Sequence, residues 1–560
     1  PEGSRILEVT ATDRFGQVLR SRYEIAPDEI PDRPDIEVKG FVRCDGEGVG
    51  GVIVTNGYDF ATTNVFGIYY LPQNDKAEMV YIIPPAGYDP VTTDGIPAFF
   101  KTIGRKDKVF QADFELTATG DDERHRFLAI ADPQMRGEHD YSLYESTAIP
   151  DIRSTLDDIR TDGIPCQALV LGDICFDSWD TYPRYLASLS GIPTPFYHIP
   201  GNHDKHIVTD ANVSAAEYKA AFGPLYYAVN KGKVHYLMLD NINVTSRGAY
   251  DTAISDAAAS WVSKYLAMVP KDNIIVLCVH QPVTNSKTTA EANKDLLLTL
   301  SKYRTIILSA HKHFGQNLGK YALSAAPDAD IEERIHSALC GAYWYGDVAK
   351  DGTPLGYYVY DIDGTDISWQ FKPLGDDDYG QITIHEPVPF GKRLKTDVNV
   401  YDYDSNWSVS WKLDGVDKGR MYNYEALDPR ANALYADHEK TWCRPAMTKH
   451  LFYCYLNEGY SEIEVNATDR FGRTHTQVFS ASAGISSTRT DSIHVSVDNR
   501  ILRVASESDI ASVRVLGLSG AVCAEGTTDS MDLSTLAAGV YVVKICMTDG
   551  SIVARKIALR

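Results

Sequence analysis

Five short apolar runs, each followed directly by polar side chains, constrain the fold of this chain more than any other feature of its sequence. Short apolar runs bounded by turn residues are typical of buried strands. Loops that leave the carboxyl ends of strands in an open α/β sheet lie at one edge of that sheet. We therefore expect the residues that follow the five runs to converge; in chain order they are Asp132-Pro133-Gln134, Gly172-Asp173, Gly201-Asn202-His203-Asp204, His280 and His311-Lys312-His313.

The converging side chains are carboxylates, carboxamides and imidazoles, with no cysteine among them. Oxygen and imidazole ligands suit divalent ions such as Mn, Fe or Zn. Asp173 can bridge two such ions, because a carboxylate has two oxygens that can each bind one ion. The sequence therefore predicts a site for divalent cations at this edge of the sheet.

The five motifs, in this order, resemble those of the calcineurin-like metallophosphoesterase family, over roughly residues 124 to 375. The pattern of that family is D-x-H/Q, G-D-x-x-x-D, G-N-H-D/E, a lone His and G-H-x-H. The resemblance implies two divalent metal ions. The implied ligands of the first ion are Asp132, Gln134, Asp173 and His313. The implied ligands of the second ion are Asp173, Asn202, His280 and His311.

Three positions differ from common forms of this pattern. Gln134 stands where many members of the family have His. Ala310 replaces the usual Gly before His311, which changes the backbone freedom but removes no ligand. Phe176 lies where the purple acid phosphatases have a ligating Tyr, so the coloured iron site of those enzymes is not expected.

The resemblance also implies a reaction, the hydrolysis of a phosphate ester by attack of a metal-bound hydroxide. His203 would be the general acid that protonates the leaving oxygen, with Asp204 or Asp177 orienting neighbouring groups. Other polar and aromatic residues near the motifs could contact the substrate, although a role in core or turn is as readily expected for each. They are Asp177, Trp179, His139, His206, Asp240, Tyr343, Trp344 and Tyr345.

Composition limits the partners of the chain. Its 560 residues are 44% hydrophobic, which is enough for several cores, and its formal net charge is −22. A surface this acidic should repel nucleic acids and anionic membranes, whereas bound cations would still attract a phosphate group locally. No apolar run approaches the ~20 residues that span a bilayer. The expected substrate is a small phosphate ester or the head group of a lipid or glycan.

The nine cysteines are scattered along the chain and mostly lie in apolar runs. This placement is typical of buried, unpaired thiols. Pairing of Cys443 with Cys454, or of Cys523 with Cys546, stays open at this point.

The region before the α/β motifs is predicted to be all-β. Residues 1–30 are interpreted as a hairpin left from an upstream domain, because Glu8–Gly16 and Glu464–Gly472 share an alternating pattern and the same Asp-Arg-Phe-Gly turn. Residues 35–120 contain short strands between Gly-rich turns and resemble a carboxypeptidase-regulatory-like β-sandwich. We expect that domain to act as a spacer, and the alternatives are that it stabilises the chain or forms part of the wall of a cleft.

Residues 121–375 alternate strands with amphipathic helices, the helices being expected at 214–222, 255–266 and 290–303. The resemblance implies an α/β catalytic domain here, a four-layer α/β/β/α sandwich flanked by β-sandwich domains. Residues 376–480 lose the helical pattern and are predicted to form a β-rich domain. We interpret Trp407 and Trp411 in that domain as core residues.

Residues 481–491 are predicted to be a linker, and residues 492–560 to be a small β-domain. The run Leu533-Ser534-Thr535-Leu536-Ala537-Ala538-Gly539-Val540-Tyr541 resembles the sorting domain of the type IX secretion system of Bacteroidetes bacteria, in which such multidomain phosphoesterases occur. The resemblance implies an extracytoplasmic location, in the periplasm, on the outer-membrane surface or outside the cell, with the secretion machinery as a partner. Because the chain begins with Pro1, we expect a mature or trimmed form.

The interpretation that unites these features is a secreted dinuclear metal-dependent phosphoric ester hydrolase. One alternative is a phosphodiesterase rather than a phosphomonoesterase. Another is a surface binding or adhesion protein whose phosphoesterase core is inactive. A decayed site should lack at least one ligand, and the sequence retains all of the implied ones.

Overall fold

The computed structural model describes residues 5–25, 29–104, 108–481, 493–498, 500–506, 510–517, 522–526, 530–537, 539–547 and 552–559. The chain separates into two compact units. The first takes most residues up to Val478, and the second takes the residues from Phe479 on together with Leu413–Gly415 and Gly459–Ile463. None of the helices in the described part of the chain combines the length and apolar composition that a membrane span requires.

The first unit begins with an antiparallel hairpin, Arg5–Thr12 with Val18–Ile25. In its turn the Asp13 carboxylate accepts hydrogen bonds from the N–H groups of the residues two and four positions later. Asp469 makes the same two bonds in the later Asp-Arg-Phe-Gly turn. The glycine of each turn has a φ of 83°. The predicted repetition of this hairpin turn is confirmed.

Residues 36–118 form an all-β region. One sheet has the strand order Phe100–Thr102, Met79–Ile83, Ile53–Thr55, Phe60–Thr62. A second sheet is centred on Ile36–Cys44, with which four strands pair: Phe110–Gln111, Phe114–Ala118, Glu47–Gly48 and Ile68–Pro72. Tyr88–Pro90 extends this sheet beside Phe114–Ala118, and Thr92–Thr93 pairs with Ile96–Pro97.

Two sheets organise the α/β domain that follows. The first has the strand order Phe196–His198, Cys166–Val170, Arg124–Ile130, Gly356–Asp363, Asp366–Pro373. The second has the order Tyr226–Lys231, Val234–Leu239, Ile274–Cys278, Arg304–Ser309, Ile331–Ile335, Gln316–Lys320. In the first sheet, Phe196–His198 and Arg124–Ile130 are both parallel to Cys166–Val170. In the second sheet, Val234–Leu239 and Arg304–Ser309 are both parallel to Ile274–Cys278. All five apolar runs predicted as strands are strands, namely Arg124–Ile130, Cys166–Val170, Phe196–His198, Ile274–Cys278 and Arg304–Ser309.

Alternate residues of the strand Arg124–Ile130 face different layers, as the two-residue period of a strand requires. Phe127 and Ala129 belong to the core shared with the second sheet, whereas Leu128 and Ile130 pack in a core lined by helices. This arrangement is the expected layering of an α/β domain with flanking β-domains.

The helices of this domain are Glu138–Leu143 with its π-helical continuation Tyr144–Ala148, Ile149–Thr161, Tyr182–Ser188, Ala211–Ser214, Ala216–Phe222, Asp256–Leu266, Lys287–Ala292 and Lys294–Leu300. The domain also contains a 3₁₀ turn at Trp179–Thr181 and a hairpin of Ile242–Ser246 and Ala249–Thr252.

The helix predicted over residues 290–303 is wrong as a single element. It is two short helices, Lys287–Ala292 and Lys294–Leu300, that meet at Asn293. The Asn293 side chain is buried, and its Nδ2 donates to the carbonyl oxygens of Thr252 and Thr289 at 2.7 and 2.9 Å. A carboxamide that bonds nearby backbone groups competes with helical hydrogen bonding, which explains the break.

The β-rich domain of the first unit follows. One sheet has the order Ile382–Ile384, Arg393–Val400, Met447–Leu456, Tyr422–Leu427. The strand Val388–Phe390 also pairs with Arg393–Val400. The other sheet has the order Val416–Arg420, Ser408–Leu413, Glu462–Thr468, Thr474–Ser480. The helix Pro429–Tyr435 and the 3₁₀ turn Thr441–Cys443 interrupt the strands. Trp407 and Trp411 are buried, in agreement with their interpretation as core residues. Cys443 and Cys454 are free thiols, so they do not pair.

The second unit has a core of its own in residues 493–559. A three-stranded sheet has the order Ile493–Asp498, Ile501–Ser506, Ser530–Asp532, and a four-stranded sheet has the order Val522–Gly526, Ile510–Leu516, Gly539–Met547, Ile552–Leu559. The sheets enclose buried Leu502, Val513, Val543 and Ile545. The suggested pairing of Cys523 with Cys546 stays a prediction, because it involves a side chain outside the described part of the structure. The predicted linker at residues 481–491 lies almost wholly outside the described residues.

Candidate metal centre

Loops from several strand ends bring the predicted ligands together. Asp173, His280 and His311 each offer one potential ligand atom, and these three atoms lie within 4.8 Å of one another. His313 Nε2 lies 3.7 Å from Asp132 Oδ1, and the His311 backbone N–H donates to Asp132 Oδ2 at 3.1 Å. The strand ends therefore build one buried cluster from residues far apart in the chain.

The orientation of two imidazoles is set by backbone carbonyl groups behind them. His280 Nδ1 lies 2.8 Å from the Leu171 oxygen, and His313 Nδ1 lies 2.8 Å from the Gly341 oxygen. A carbonyl oxygen only accepts, so each Nδ1 carries a proton and each Nε2 faces the centre, where it offers a lone pair when the ring is neutral. Such a backing hydrogen bond is what metal-binding histidines in proteins usually have. His311 Nδ1 faces His280 Nε2 at 3.2 Å.

Two oxygens at the centre have no hydrogen-bond donor within the described chain. They are Asp132 Oδ1 and Asn202 Oδ1, and both are buried. A buried oxygen without a partner costs roughly 1–3 kcal/mol. A divalent cation would satisfy both atoms, and carboxylate, carboxamide and imidazole donors are ligands that such cations accept. The residues present thus fit the metal ions that the sequence predicts.

The charges of the cluster are strongly coupled. Burial raises the pKa of Asp132 to about 7. Burial also acts to raise the pKa of Asp173, but the charges of His280 and His203 outweigh it and lower that pKa. For His280, burial is outweighed by the Asp173 carboxylate, which raises the pKa to about 9. Positive charge beside the buried carboxylates therefore stabilises their ionised form, and a bound cation would also supply that charge.

Asp173 occupies the middle of the cluster. Its Oδ1 accepts from the His203 backbone N–H at 2.9 Å, and its Oδ2 lies 3.3 Å from His280 Nε2. Gln134 Nε2 donates to Asp173 Oδ2 at 2.9 Å, so here the Gln134 carboxamide presents its nitrogen. Rotation of this amide by 180° exchanges its nitrogen and oxygen, and the oxygen is the atom that a cation requires.

Several residues of the motifs have left-handed backbone conformations. Asp132, Gln134, Asp173, His311 and His313 have φ values of 46°, 47°, 51°, 71° and 55°. A non-glycine residue in this region costs about 1–3 kcal/mol, and such residues cluster at functional sites. Ala310 does not have a positive φ, so the usual glycine at this position is not needed for its conformational freedom.

Two glycines allow the loops to approach closely. A Cβ atom at Gly201 would lie 2.1 Å from Asp173 Oδ1, and one at Gly172 would lie 2.7 Å from the Gly201 nitrogen. Any larger residue at either position would push the Asp173 loop away from the Asn202 loop. The two glycines of these motifs are therefore required by contact between loops.

His203 lies at the edge of the cluster, with Asp177 beside it. His203 Nδ1 is 3.0 Å from Asp177 Oδ1. Asp204, also predicted as a catalytic residue, is buried and accepts from the N–H groups of Ile174, Cys175 and Gly201 at 2.9–3.2 Å. The structure therefore places Asp177 against the imidazole, whereas Asp204 holds the backbone of the loops.

The remaining polar candidates mostly hold the loops in place. Trp179 Nε1 donates to the His203 carbonyl oxygen at 3.0 Å, and the Trp179 ring lies 3.7 Å from that of His206. His206 in turn faces Glu217, and Asp240 is paired with Lys205 at 2.6 Å. None of these contacts brings His206 or Asp240 to the predicted ligands. His139 is exposed and lies 3.4 Å from the Trp344 carbonyl oxygen.

Aromatic rings cover the imidazoles. Phe176 stacks on His203 with ring centroids 4.1 Å apart, and Tyr343 stacks on His313 at 4.0 Å. The Phe176 and Tyr343 rings meet edge to face at 5.9 Å. Trp344 is buried, and its Nε1 donates to the Pro133 oxygen, so this residue holds the Asp132 loop.

Four residues near the centre were not predicted. Arg136 donates to the Tyr343 carbonyl and the Tyr345 hydroxyl at 3.0 and 2.8 Å. Trp442, from the β-rich domain, has its ring 6.5 Å from that of Phe176. The other two are Lys312 and Lys350. Of these four residues, only Lys312 could have been noticed in the sequence, because it stands between two predicted ligands. The other three come near the centre through tertiary contacts.

Models of one protein family match three consecutive stretches of the chain. The model for the N terminal of calcineurin-like phosphoesterase matches residues 36–119, that for calcineurin-like phosphoesterase matches residues 125–315, and that for the C terminal of calcineurin-like phosphoesterase matches residues 333–475. A search among curated proteins found no match.

Similar solved structures are distant. A purple acid phosphatase from yellow lupin (Lupinus luteus) is 11% identical over 66% of this chain and 67% of that chain, with a TM-score of 0.34. A 5′-nucleotidase from Candida albicans is 11% identical over 46% of this chain and 52% of that chain, with a TM-score of 0.28. A β-glucuronidase from Parabacteroides merdae is 10% identical over 99% of this chain and 77% of that chain, with a TM-score of 0.24. At these scores they add nothing to the family match.

Proposed function

Because the chain belongs to the calcineurin-like phosphoesterase family and is therefore a metal-dependent phosphoester hydrolase, we propose that it binds two divalent cations and uses His203 as the general acid. The proposed ligands are those that the family pattern assigns. Asp132, Gln134, Asp173 and His313 would hold one ion. Asp173, Asn202, His280 and His311 would hold the other.

One observation carries the proposal. The buried oxygens of Asp132 and Asn202 lack donors within the described chain, and they accompany a cluster of Asp173, His280 and His311. Bound cations would supply Lewis acidity for the phosphoryl group and the attacking water. The backing hydrogen bonds of His280 and His313 hold their lone pairs toward that position. A binding protein with a decayed site would have no need to retain this arrangement.

The surroundings of His203 support its role as an acid. Burial acts to lower the pKa of His203, but the Asp173 charge and the Asp177 hydrogen bond outweigh it and raise the pKa. A raised pKa favours the protonated ring, which is the form that donates a proton. With Nδ1 held by Asp177, Nε2 is the atom left to protonate the leaving oxygen. The Phe176 ring fixes the plane of the imidazole from one side.

The proposal is tested by metal analysis together with hydrolysis of one monoester and one diester of nitrophenol. We expect about two metal ions per chain, the number of a two-metal site, and turnover of at least one ester. The ratio of the two rates distinguishes a phosphomonoesterase from a phosphodiesterase.

His280→Ala and His336→Ala provide a matched pair of variants. Both histidines are buried, but His336 bonds the Ser309 oxygen and the Tyr360 hydroxyl and lies outside the cluster. We expect His280→Ala to lose metal and turnover, and His336→Ala to keep both per folded molecule. Turnover by metal-free protein, or equal metal loss in both variants, would contradict the proposal.

We also propose that the second unit directs the chain to an extracytoplasmic location. The support is that its run from Leu533 to Tyr541 resembles the sequence of a type IX sorting domain. The family models end at residue 475, before the long segment of this unit that starts at Phe479.

A further inference from the structure

Two lysines beside the centre are not used by the proposed ligand set. Lys312 stands between His311 and His313 in the chain, and the Lys350 backbone N–H donates to the His313 carbonyl oxygen at 3.2 Å. Both side chains are half-buried. Among the residues that the structure describes, neither ammonium group has a hydrogen bond or an ion pair.

The fully buried lysines in the described part of the chain are all paired, whereas these two half-buried lysines are not. Lys205 is 2.6 Å from Asp240, Lys231 is 2.8 Å from Asp89, and Lys372 is 3.0 Å from Asp151. An ammonium group that loses water without gaining a carboxylate is costly. Two unpaired ammonium groups near a site are therefore expected to have a partner that is not part of the protein.

Both lysines act electrostatically on the centre and on each other. Burial is the main cause that lowers the pKa of His313, and the Lys350 charge lowers it further. For Lys350, burial lowers the pKa, the Lys312 charge adds to that effect, and the Asp132 charge opposes it. These effects support a position of both lysines beside the centre, which the backbone bond of Lys350 to His313 and the place of Lys312 between two proposed ligands establish independently.

The β-rich domain holds the segment that carries Lys350. The Ala446 N–H donates to the Lys350 carbonyl oxygen at 2.8 Å, and the Tyr435 hydroxyl donates to the Val348 oxygen at 2.7 Å. Asp351, the next residue, lies 3.0 Å from His450 Nε2. Because these bonds fix the backbone on both sides of Lys350, its ammonium group is presented at little cost in backbone entropy.

We propose that Lys312 and Lys350 bind a second anionic group of the substrate, so that the enzyme prefers phosphate esters whose leaving group itself carries a carboxylate or a phosphate. This inference rests on the proposed function of the metal centre. The net charge of −22 repels such polyanions at long range, whereas unpaired local cations such as these two lysines attract them. Half-buried charges also interact more strongly than exposed ones, because water screens them less.

The test compares three esters of similar size: ethyl phosphate, 2-phosphoglycolate and 1,2-ethanediol bisphosphate. We expect kcat/KM of the metal-loaded enzyme to be about tenfold higher for the two esters with a second anion, as expected for one partly screened charge contact. The carboxylate and phosphate arms show which anion is preferred. Lys350→Met and Lys312→Met should each remove most of this preference, mainly through KM, with a smaller loss on ethyl phosphate.

Lys320→Met is the matched control, because Lys320 is exposed and already paired with Asp330 at 2.8 Å. It should leave the preference unchanged. Equal kcat/KM for the three esters, or equal losses on all three in Lys350→Met, would overturn the inference while leaving the proposed function intact.

Binding of non-hydrolysable analogues separates this inference from the proposed function. By calorimetry, phosphonoacetate should bind the metal-loaded wild type more tightly than ethylphosphonate does, and Lys350→Met should reduce that difference. If the preference is present without turnover of any ester, the second-anion site stands and the hydrolytic function fails. If neither analogue is preferred, the second-anion site is refuted whatever the turnover.

Discussion

Two buried clusters in the first unit are made from the same side-chain types but differ in how their polar atoms are satisfied. One is the candidate metal centre. The other, which we call the polar network, joins the α/β domain to the β-rich domain and consists of Asp351, His385, Asn399, Asp428 and His450.

Every polar side-chain atom at the centre of the polar network has a partner. Asp428 Oδ1 accepts from the N–H groups of Arg430 and Ala431, and Oδ2 accepts from His385 and Asn399. Asn399 Oδ1 accepts from His450 at 2.7 Å. The network is therefore complete without any ligand.

The metal centre is incomplete by the same criterion. Asp132 and Asn202 each keep a buried oxygen without a donor in the described chain, and two imidazole nitrogens face each other at 3.2 Å. The difference teaches that polar residue types alone do not mark a ligand site, whereas unsatisfied oxygens beside a cluster of potential ligands support one. The predictions below act on one cluster at a time.

The largest effect is expected for Asp173→Ala, which removes the proposed bridge between the two ions. Both ions lose a ligand, so metal content should fall and kcat/KM should drop by about 10³-fold or more. Elemental analysis and phosphate release measure these two quantities, with circular dichroism to confirm the fold. Full metal content with full activity in this variant would show that the centre does not work as a bridged pair.

His203→Gln comes next, because it removes the proposed general acid and keeps every proposed ligand. With an alkyl ester, kcat should fall by roughly 10²–10⁴-fold, the usual contribution of a positioned acid. With a nitrophenyl ester the loss should be much smaller, since nitrophenolate leaves without a proton. Metal content is checked in each preparation. Equal losses on both esters at unchanged metal content would mean that His203 positions the phosphate instead.

Much of the candidate metal centre could be predicted from the sequence, because each proposed ligand lies within a few residues of the end of an apolar run. The strand period and the carboxyl-end rule then bring Asp132, Asp173, Asn202, His280 and His311 to one place without further information. The motif order made the family recognisable for the same reason. The five strands and the α/β fold followed from local patterns that tertiary contacts do not override.

The rest depends on contacts that no local pattern contains. The sequence did not distinguish Asp177 from Asp204 as the partner of His203, because that choice depends on which loop backbone each carboxylate meets. The approach of Trp442 to Phe176 joins residues far apart in the chain. The helix break at Asn293 arises from its bond to Thr252 in another element.

Asn399→Ala tests the polar network and should affect stability rather than chemistry. It leaves His450 and Asp428 each short of a buried hydrogen-bond partner, at a cost of about 1–3 kcal/mol for each unsatisfied group. Urea unfolding should show a lower free energy of unfolding, while metal content and kcat per folded molecule stay within about twofold, the range expected for a site outside the reacting groups. Loss of metal in the folded variant would make the network part of the site, against the comparison drawn above.

The smallest effect on hydrolysis is expected when residues 493–560 are removed, because this segment contributes to neither cluster. Its described strands enclose a separate apolar core whose members all lie between Val495 and Leu559. The truncated enzyme should therefore keep its metal content and its kcat/KM, measured beside the full chain. Delivery is measured by fractionating cells that possess the type IX machinery, and the truncated chain should remain inside whereas the full chain reaches the outside. Loss of metal from the truncated enzyme would give the segment a structural role, and unchanged delivery would refute its role in sorting.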